Sequence, residues 1–298
     1  MAVPVFTHPD CIGHDAGPGH PETPARLAVT LGHLAKDSRA SLRQAEPGRR
    51  EDLLLVHPDG HLRRLEEMSH VGGGVLSLDT VMNGASWAAV LGATGALAAA
   101  LSHAQAGAGH AFAAVRPPGH HAMSQRAMGF CLVNNVVVGA RRAQREGRQR
   151  VLIIDWDVHH GNGTQALVEQ DERIRYVSLH QHPWYPGTGM AEERGVGNIF
   201  NVPRGPGAPA PRYVEDLWAA IVSATDQWIP DLVLLSAGYD AMRGDPLGGF
   251  TLEPEHYAGL TTRLREHLPG AAIVGLLEGG YIPERVALGV AATVGALG

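Results

Sequence analysis

The chain alternates short apolar runs with longer stretches of helical periodicity, and this pattern predicts the fold class. Val151-Leu152-Ile153-Ile154 is apolar throughout and mostly β-branched, so it reads as a strand buried on both faces. Further strands are predicted over Val3-Pro4-Val5-Phe6, Ala111 to Val115, Ile174 to His180, Asp231 to Ser236 and Ala272 to Leu277. Between them lie helices. One runs from Pro24 to about Ala35, with Thr23 as its cap and Pro24 at its first position. A second starts near Pro58 and carries His61, Leu62, Leu65 and Met68. An Ala-rich helix covers 85–101, and others cover 136–146, 213–228 and 254–268, with a final helix from Ile282 onward. Strands alternating with helices predict an α/β fold: a central, mostly parallel, doubly wound sheet with helices on both faces. No linker, repeat or low-complexity tract divides residues 1–298, so one domain is expected.

In such sheets, ligands bind outside the carboxyl ends of the strands. Five predicted strand ends carry polar or Gly-rich clusters, at 116–121, 155–163, 178–189, 236–240 and 279–281. The central one is Asp155-Trp156-Asp157-Val158-His159-His160-Gly161-Asn162-Gly163-Thr164, which follows the core strand. Strand alternation points Asp155, Asp157 and His159 the same way. Two carboxylates buried there need a cation or donors to neutralise them. Asp157 and His159 offer two metal ligands, and Asp240, at another strand end, is the chosen third. Mixed nitrogen and oxygen ligands with an open position fit a catalytic zinc, which lowers the pKa of its water to about 7 and polarises a carbonyl. His120 and His121, in a breaker-rich turn, are the proton carriers, a role worth roughly 10²–10⁴ in rate. Asp155 would orient one imidazole and Asn162 the other. A charged partner raises a histidine's pKa far more than an amide does, so the two would differ in protonation. Tyr281, after Gly279-Gly280, would donate to an oxyanion, and Phe130 and Tyr185 would wall an apolar slot. No Gly-x-Gly-x-x-Gly follows a strand and no phosphate loop is present, so a nucleotide cofactor is not expected.

Composition adds limits. At 298 residues, 44% hydrophobic and 18% charged, the chain has ample length for a core. A net charge of −6 without a basic stripe argues against a general nucleic-acid binder. Cys11 and Cys131 match no metal or redox spacing and point to a reducing, cytoplasmic compartment. Met1 to His14 lacks the basic start and apolar run of a signal peptide. No Asp, Glu, Lys or Arg lies between Asp79 and Arg116, but the Ala- and Gly-rich helix within that stretch reads as buried rather than membrane-spanning. The Gly- and Ala-rich composition hints at a bacterial source, and a homo-oligomer is compatible with the sequence.

Six motifs together resemble the zinc-dependent histone deacetylases. They are Arg116-Pro-Pro-Gly-His-His, Gly129-Phe-Cys, Asp155-x-Asp-x-His-His-Gly-Asn-Gly-Thr, Tyr185-Pro-Gly-Thr-Gly, Gly238-Tyr-Asp and Glu278-Gly-Gly-Tyr, spread over about residues 14 to 285. Asn162, where class I members have aspartate, resembles class II and the bacterial deacetylase-like amidohydrolases. The resemblance implies an arginase-deacetylase fold and hydrolysis of N-acetyl amides, with the whole chain as one catalytic domain. It implies Asp157, His159 and Asp240 as zinc ligands and His120, His121 and Tyr281 as catalytic. It places Gly129, Phe130 and Tyr185 at an acyl-lysine tunnel, Asp79 at its rim and Arg26 near an inner acetate pocket. It also implies a structural potassium on main-chain oxygens of Asp155, Asp157 and His159 with Ser178. Leu247 stands where members specific for acetylpolyamines carry a glutamate, which counts against polyamines. The expected substrate is an acylated lysine peptide or a small acylated amine, with no nucleic acid or membrane partner. The rivals are an acetylpolyamine or other small-molecule deacetylase, a catalytically silent acyl-lysine binding protein, and an arginase-like dinuclear manganese hydrolase. His14, His20, His57, His61 and His70 are expected in loops or on the surface, with His14 and His20 in a loop near the rim. His180 and His182 are expected to be structural, Asp245 a turn former and Trp156 a core residue.

Overall fold

The computed structural model describes residues 2–107 and 109–298. Its strands, in chain order, are β1 (Val3–Thr7), β2 (Ala40–Gln44), β3 (Gly73–Val75), β4 (Val81–Asn83), β5 (Ala111–Ala113), β6 (Val151–Asp155), β7 (Ile174–Gln181), β8 (Ile199–Arg204), β9 (Leu232–Ala237) and β10 (Ala272–Leu277). Eight of them form one sheet in the order β2-β1-β5-β10-β9-β6-β7-β8, with every neighbouring pair parallel. The other two, β3 and β4, make a small antiparallel pair. Every residue of β6 and β9 is buried. Both faces of the sheet are therefore covered, and helices do the covering, as expected for an all-parallel sheet. The result is a single α/β domain of the arginase-deacetylase type.

The long helices lie close to where periodicity puts them: Ala25–Leu34, Asp59–His70, Ser86–Gln105, Asn135–Arg145, Ala210–Thr225, Pro254–His267 and Pro283–Leu297. The Asn135–Arg145 helix is capped by the Asn134 side chain, which accepts from the Val137 amide at 3.1 Å. The first of these helices begins differently from expectation. It starts at Ala25, Pro24 occupies the cap position, and no side chain, Thr23 included, caps it. The Ser86–Gln105 helix is long and apolar enough to cross a membrane, and 61% of its most apolar window is buried inside this fold. Its small residues allow close packing against β1, β5 and β10, and Gly95 leaves no room for a Cβ beside the Glu46 carbonyl.

Two edge strands went unpredicted for a physical reason. The sequence of β2, ASLRQ, is largely exposed, and β8 contains Pro203, which removes a ladder donor. Both are placed by their neighbours: β2 by β1, and β8 by β7 through the register Ser178↔Asn201. Asn162–Val168 forms a further short helix.

Parallel pairing fixes which strand ends meet. Asp155 at the end of β6 lies beside Ser178 of β7 and Ser236 of β9, and Leu277 of β10 beside Ala237 of β9. The segments that follow β5, β6, β9 and β10 therefore emerge at one rim.

Candidate active site

The floor of the site is built from two loops that leave adjacent strands. After β6, Asp155 Oδ1 accepts the Asp157 amide at 3.1 Å, and Asp157 Oδ1 accepts the His159 amide at 2.9 Å. These local bonds turn the chain so that Asp157 and His159 face the same space. After β9, Asp240 Oδ1 accepts the Val158 amide at 2.7 Å, and from the loop after β10 the Gly279 amide donates to Asp157 Oδ2 at 2.9 Å. The three side chains converge. His159 Nδ1 lies 3.0 Å from Asp157 Oδ1 and 3.1 Å from Asp240 Oδ2. One donor atom from each of the three residues falls within 4.8 Å of the others, and all three residues are buried. Gly238 and Gly279 are required here, because a Cβ on either would strike the Asp157 carboxylate.

This donor set suits a divalent cation. Two buried carboxylates and an imidazole direct lone pairs at one point, where charge has to be compensated. Burial alone would lower the His159 pKa, but Asp157 and Asp240 outweigh it and raise it to about 10. One nitrogen and two carboxylate oxygens would make three protein ligands, the number found in catalytic rather than structural zinc sites.

His120 and His121 stand beside this floor with their ring centroids 4.0 Å apart. Their partners differ. His120 Nδ1 lies 3.0 Å from Asp155 Oδ2, which also accepts the Tyr176 hydroxyl at 2.9 Å. His121 Nδ1 lies 2.8 Å from Asn162 Oδ1. Burial would lower the His120 pKa, but the Asp157 and Asp155 carboxylates outweigh it and raise it to about 10. For His121, burial and the neighbouring His120 and His159 act together and hold it well below its usual value. The pair thus splits into a proton-holding and a neutral imidazole.

Above the floor opens a cavity of about 240 Å³ lined by Asp79, His121, Gly129, Phe130, His159, Trp184, Tyr185, Leu247 and Tyr281. Gly129 and Phe130 both take the left-handed conformation, φ 57° and 66°. That conformation is costly for a bulky residue and is imposed here by neighbours. Asp79 Oδ1 accepts the Gly129 amide at 3.1 Å, and Thr80 Oγ1 accepts the Phe130 amide at 3.0 Å. A Cβ at position 129 would strike the His121 ring, so this wall presses directly on the imidazole. The rings of His121 and Tyr185 meet edge to face at 5.1 Å, and those of Phe130 and Tyr281 at 5.7 Å. Tyr281 donates its amide to Asp245 Oδ2 at 2.7 Å. Asp245 also forms the expected turn by accepting the Leu247 amide at 2.9 Å.

Arg26 falls outside the lining of this cavity. It is fully buried, 5.0 Å from the centroid of the Tyr281 ring, and donates to the main-chain oxygens of Gly280 and Glu278 and to Glu22. It therefore holds the Tyr281 loop from behind. Three histidines expected in loops or on the surface are buried: His14 and His57 in loops and His61 in a helix. His57 accepts the Asn134 amide at 2.8 Å and donates to the Ser124 oxygen at 3.0 Å, and His61 donates to the Leu132 oxygen at 2.9 Å. The irregular 116–134 segment has main-chain groups with no strand ladder to join, and these imidazoles satisfy them. Trp184 was not singled out from sequence. It lines the cavity and donates its indole N–H to the Leu247 oxygen at 2.7 Å. An aromatic between two prolines, in Pro183-Trp184-Tyr185-Pro186, was the available signal.

Comparison with known proteins agrees with this geometry. Residues 20–297 match the histone deacetylase domain. An uncharacterised protein of Synechocystis is 40% identical over 98% of both chains. A histone deacetylase-like amidohydrolase of Pseudomonas aeruginosa is 36% identical over 91% of this chain and 79% of its own. The crystal structure of the HDA15 HD domain superposes with a TM-score of 0.93 at 36% identity, covering 100% of this chain and 90% of that one. Fold, candidate metal-binding triad and sequence agree: the chain belongs to the histone deacetylase family.

Proposed function

We propose that the protein is a zinc-dependent amide hydrolase that removes acetyl, or a related acyl group, from acylated lysine or a lysine-like amine. The observation that carries this reading is the meeting of Asp157, His159 and Asp240 at the floor of a mostly apolar cavity that His121 and Tyr281 also line. A zinc ion held by those three residues supplies Lewis acidity toward a carbonyl and a water.

The chain's own residues do the rest. Asn162 Oδ1 can only accept, so His121 Nδ1 carries the proton and leaves Nε2 free as a base. His121 takes the proton of the attacking water and passes it to the departing amine. His120, held protonated between Asp155 and Asp157, contributes positive charge beside the reacting carbonyl. Tyr281 donates its hydroxyl to the carbonyl oxygen as negative charge grows there. Phe130 and Tyr185 pack along the methylene chain, Gly129 lets the wall approach it, and Asp79 stands at the mouth to receive the substrate main chain. Leu247 gives the mouth an apolar side, which supports peptidyl lysine over a polyamine with a second ammonium group. Asn162 supports a class II-like or bacterial subtype. The buried free thiols Cys11 and Cys131 support a reducing compartment such as the cytoplasm. A structural potassium on main-chain oxygens of Asp155, Asp157 and His159 rests on the family resemblance alone.

An acyl-amide panel on zinc-loaded protein tests the reading. Acetyl-lysine peptides should be hydrolysed faster than acetylputrescine, and the reverse order would overturn the use of Leu247. Binding of acyl-lysine with no hydrolysis of any acyl amide, before or after zinc loading, would make this a binding protein instead.

A further inference from the structure

Glu278 directly follows β10 and is fully buried. Its carboxylate makes three contacts with donors. Oε2 accepts the main-chain amides of Gly119 at 2.6 Å and His120 at 3.2 Å, and Oε1 accepts the Ser236 hydroxyl at 2.9 Å. Arg26 reaches only the main-chain oxygen of this residue, and among the described residues no lysine or arginine side chain pairs with the carboxylate. A carboxyl group buried without a counter-ion is costly, so its bonds need to serve a purpose. The two amides explain it. β5 ends at Ala113, and the turn that follows has no ladder partner for the Gly119 and His120 N–H groups. The turn has no room to shift toward other acceptors, since a Cβ at Gly119 would meet the Asn135 nitrogen at 2.6 Å.

We propose that Glu278 is a positioning residue for the reaction: by holding the Gly119 and His120 amides, it sets the height and tilt of the His120 imidazole between Asp155 and the metal-ligating floor. This inference rests on the amide-hydrolase reading. His120 is then fixed at both ends, by Glu278 at its amide and by Asp155 at Nδ1. Burial raises the Glu278 pKa to about 7 against the opposing charge of His120. Protonation does not break the arrangement, because a protonated Oε1 can donate a hydrogen bond to Ser236 Oγ, the hydroxyl turning to accept it, while Oε2 still accepts both amides. Reach, not charge, is the property required.

Two variants separate reach from charge. Glu278→Gln keeps the length and one acceptor oxygen, and Glu278→Asp keeps the charge but loses a methylene. Both are compared with wild type by steady-state kinetics on an acetyl-lysine peptide. Amide hydrogen exchange across 116–121 is followed separately in metal-stripped protein. Glu278→Gln should keep kcat within about threefold, and Glu278→Asp should lower it by about 10- to 10²-fold at unchanged KM and zinc content. Exchange at 119–120 should quicken only in Glu278→Asp. Wild-type kinetics in Glu278→Asp, or an equal loss in Glu278→Gln, overturns the proposal. Should Glu278→Asp fail to fold, Glu278→Gln decides alone: preserved kcat and exchange support the proposal, and lost kcat with unchanged exchange refutes it. A wild-type protein inactive on every acyl amide would remove the hydrolase reading instead, and the exchange comparison would still test the contact.

Discussion

Tyr281 shows how much of this site depends on single contacts. Its amide is tied to Asp245, its ring packs on Phe130 and over Arg26, and its side chain lines the cavity with His121. Replacing Tyr281 by Phe removes its hydroxyl alone. Turnover should fall by roughly 10²–10³ with zinc content unchanged, and near-normal turnover would remove the tyrosine from the mechanism. Several residue-level features were legible in the sequence, although β6 ends at Asp155 and the turn after it, rather than strand alternation, aims Asp157 and His159. Asp157 and His159 share a side of the chain, and the split between a carboxylate-held and an amide-held histidine follows from the residue types available at positions 155 and 162. The buried histidines were not legible. His57 precedes the Asp59–His70 helix and His61 lies in its first turn, and only the folded 116–134 segment reveals the main-chain groups they satisfy. The partners of Arg26 were not legible either: they are carbonyl oxygens 252 and 254 residues away, which side-chain identity does not announce.

Among the elements, the long central strands and helices were readable because burial on both faces leaves near-continuous apolar runs. The edges were not, since β2 and β8 owe their strand state to a neighbour rather than to their own residues. Tight contacts between elements yield two predictions. In β10, a Cβ at Gly275 would strike the Phe112 ring of β5. Gly275→Ala should destabilise the protein by about 1–3 kcal/mol in denaturant unfolding while leaving zinc affinity intact, and unchanged stability would mean that the two strands are not packed this closely. At the loop after β10, a Cβ at Gly279 would strike the Asp157 and Asp240 carboxylates. Gly279→Ala should weaken zinc binding by about 10- to 100-fold in a competition titration with a chelator, and wild-type affinity would remove this loop from the support of the ligands.

For the molecule as a whole, the parallel sheet sets the rim, and a buried charge cluster ties the N-terminal segment to it. Glu22 bonds Arg26 and Arg116, and all three are fully buried. Burial would raise the Glu22 pKa, but Arg116 and Arg26 outweigh it and lower it from the usual 4.5 to about 2. A lowered folded-state pKa means that this stabilisation is complete above the unfolded value and is lost as pH falls from about 4.5 toward 2. Glu22→Gln leaves two arginines short of a counter-charge and should cost about 3–5 kcal/mol at pH 7. It should also flatten the acid limb of the stability profile in that window, and an unchanged acid limb would show that the cluster is not coupled to folding.

The central claim is that one divalent ion at Asp157, His159 and Asp240 makes this rim an amide hydrolase. The most direct measurement is acetate release from an acetyl-lysine peptide by metal-stripped protein titrated with zinc. The account predicts negligible release without metal and a rate that rises to a plateau at one equivalent per chain. Full activity in the stripped protein, or a plateau reached only at two equivalents, would contradict it.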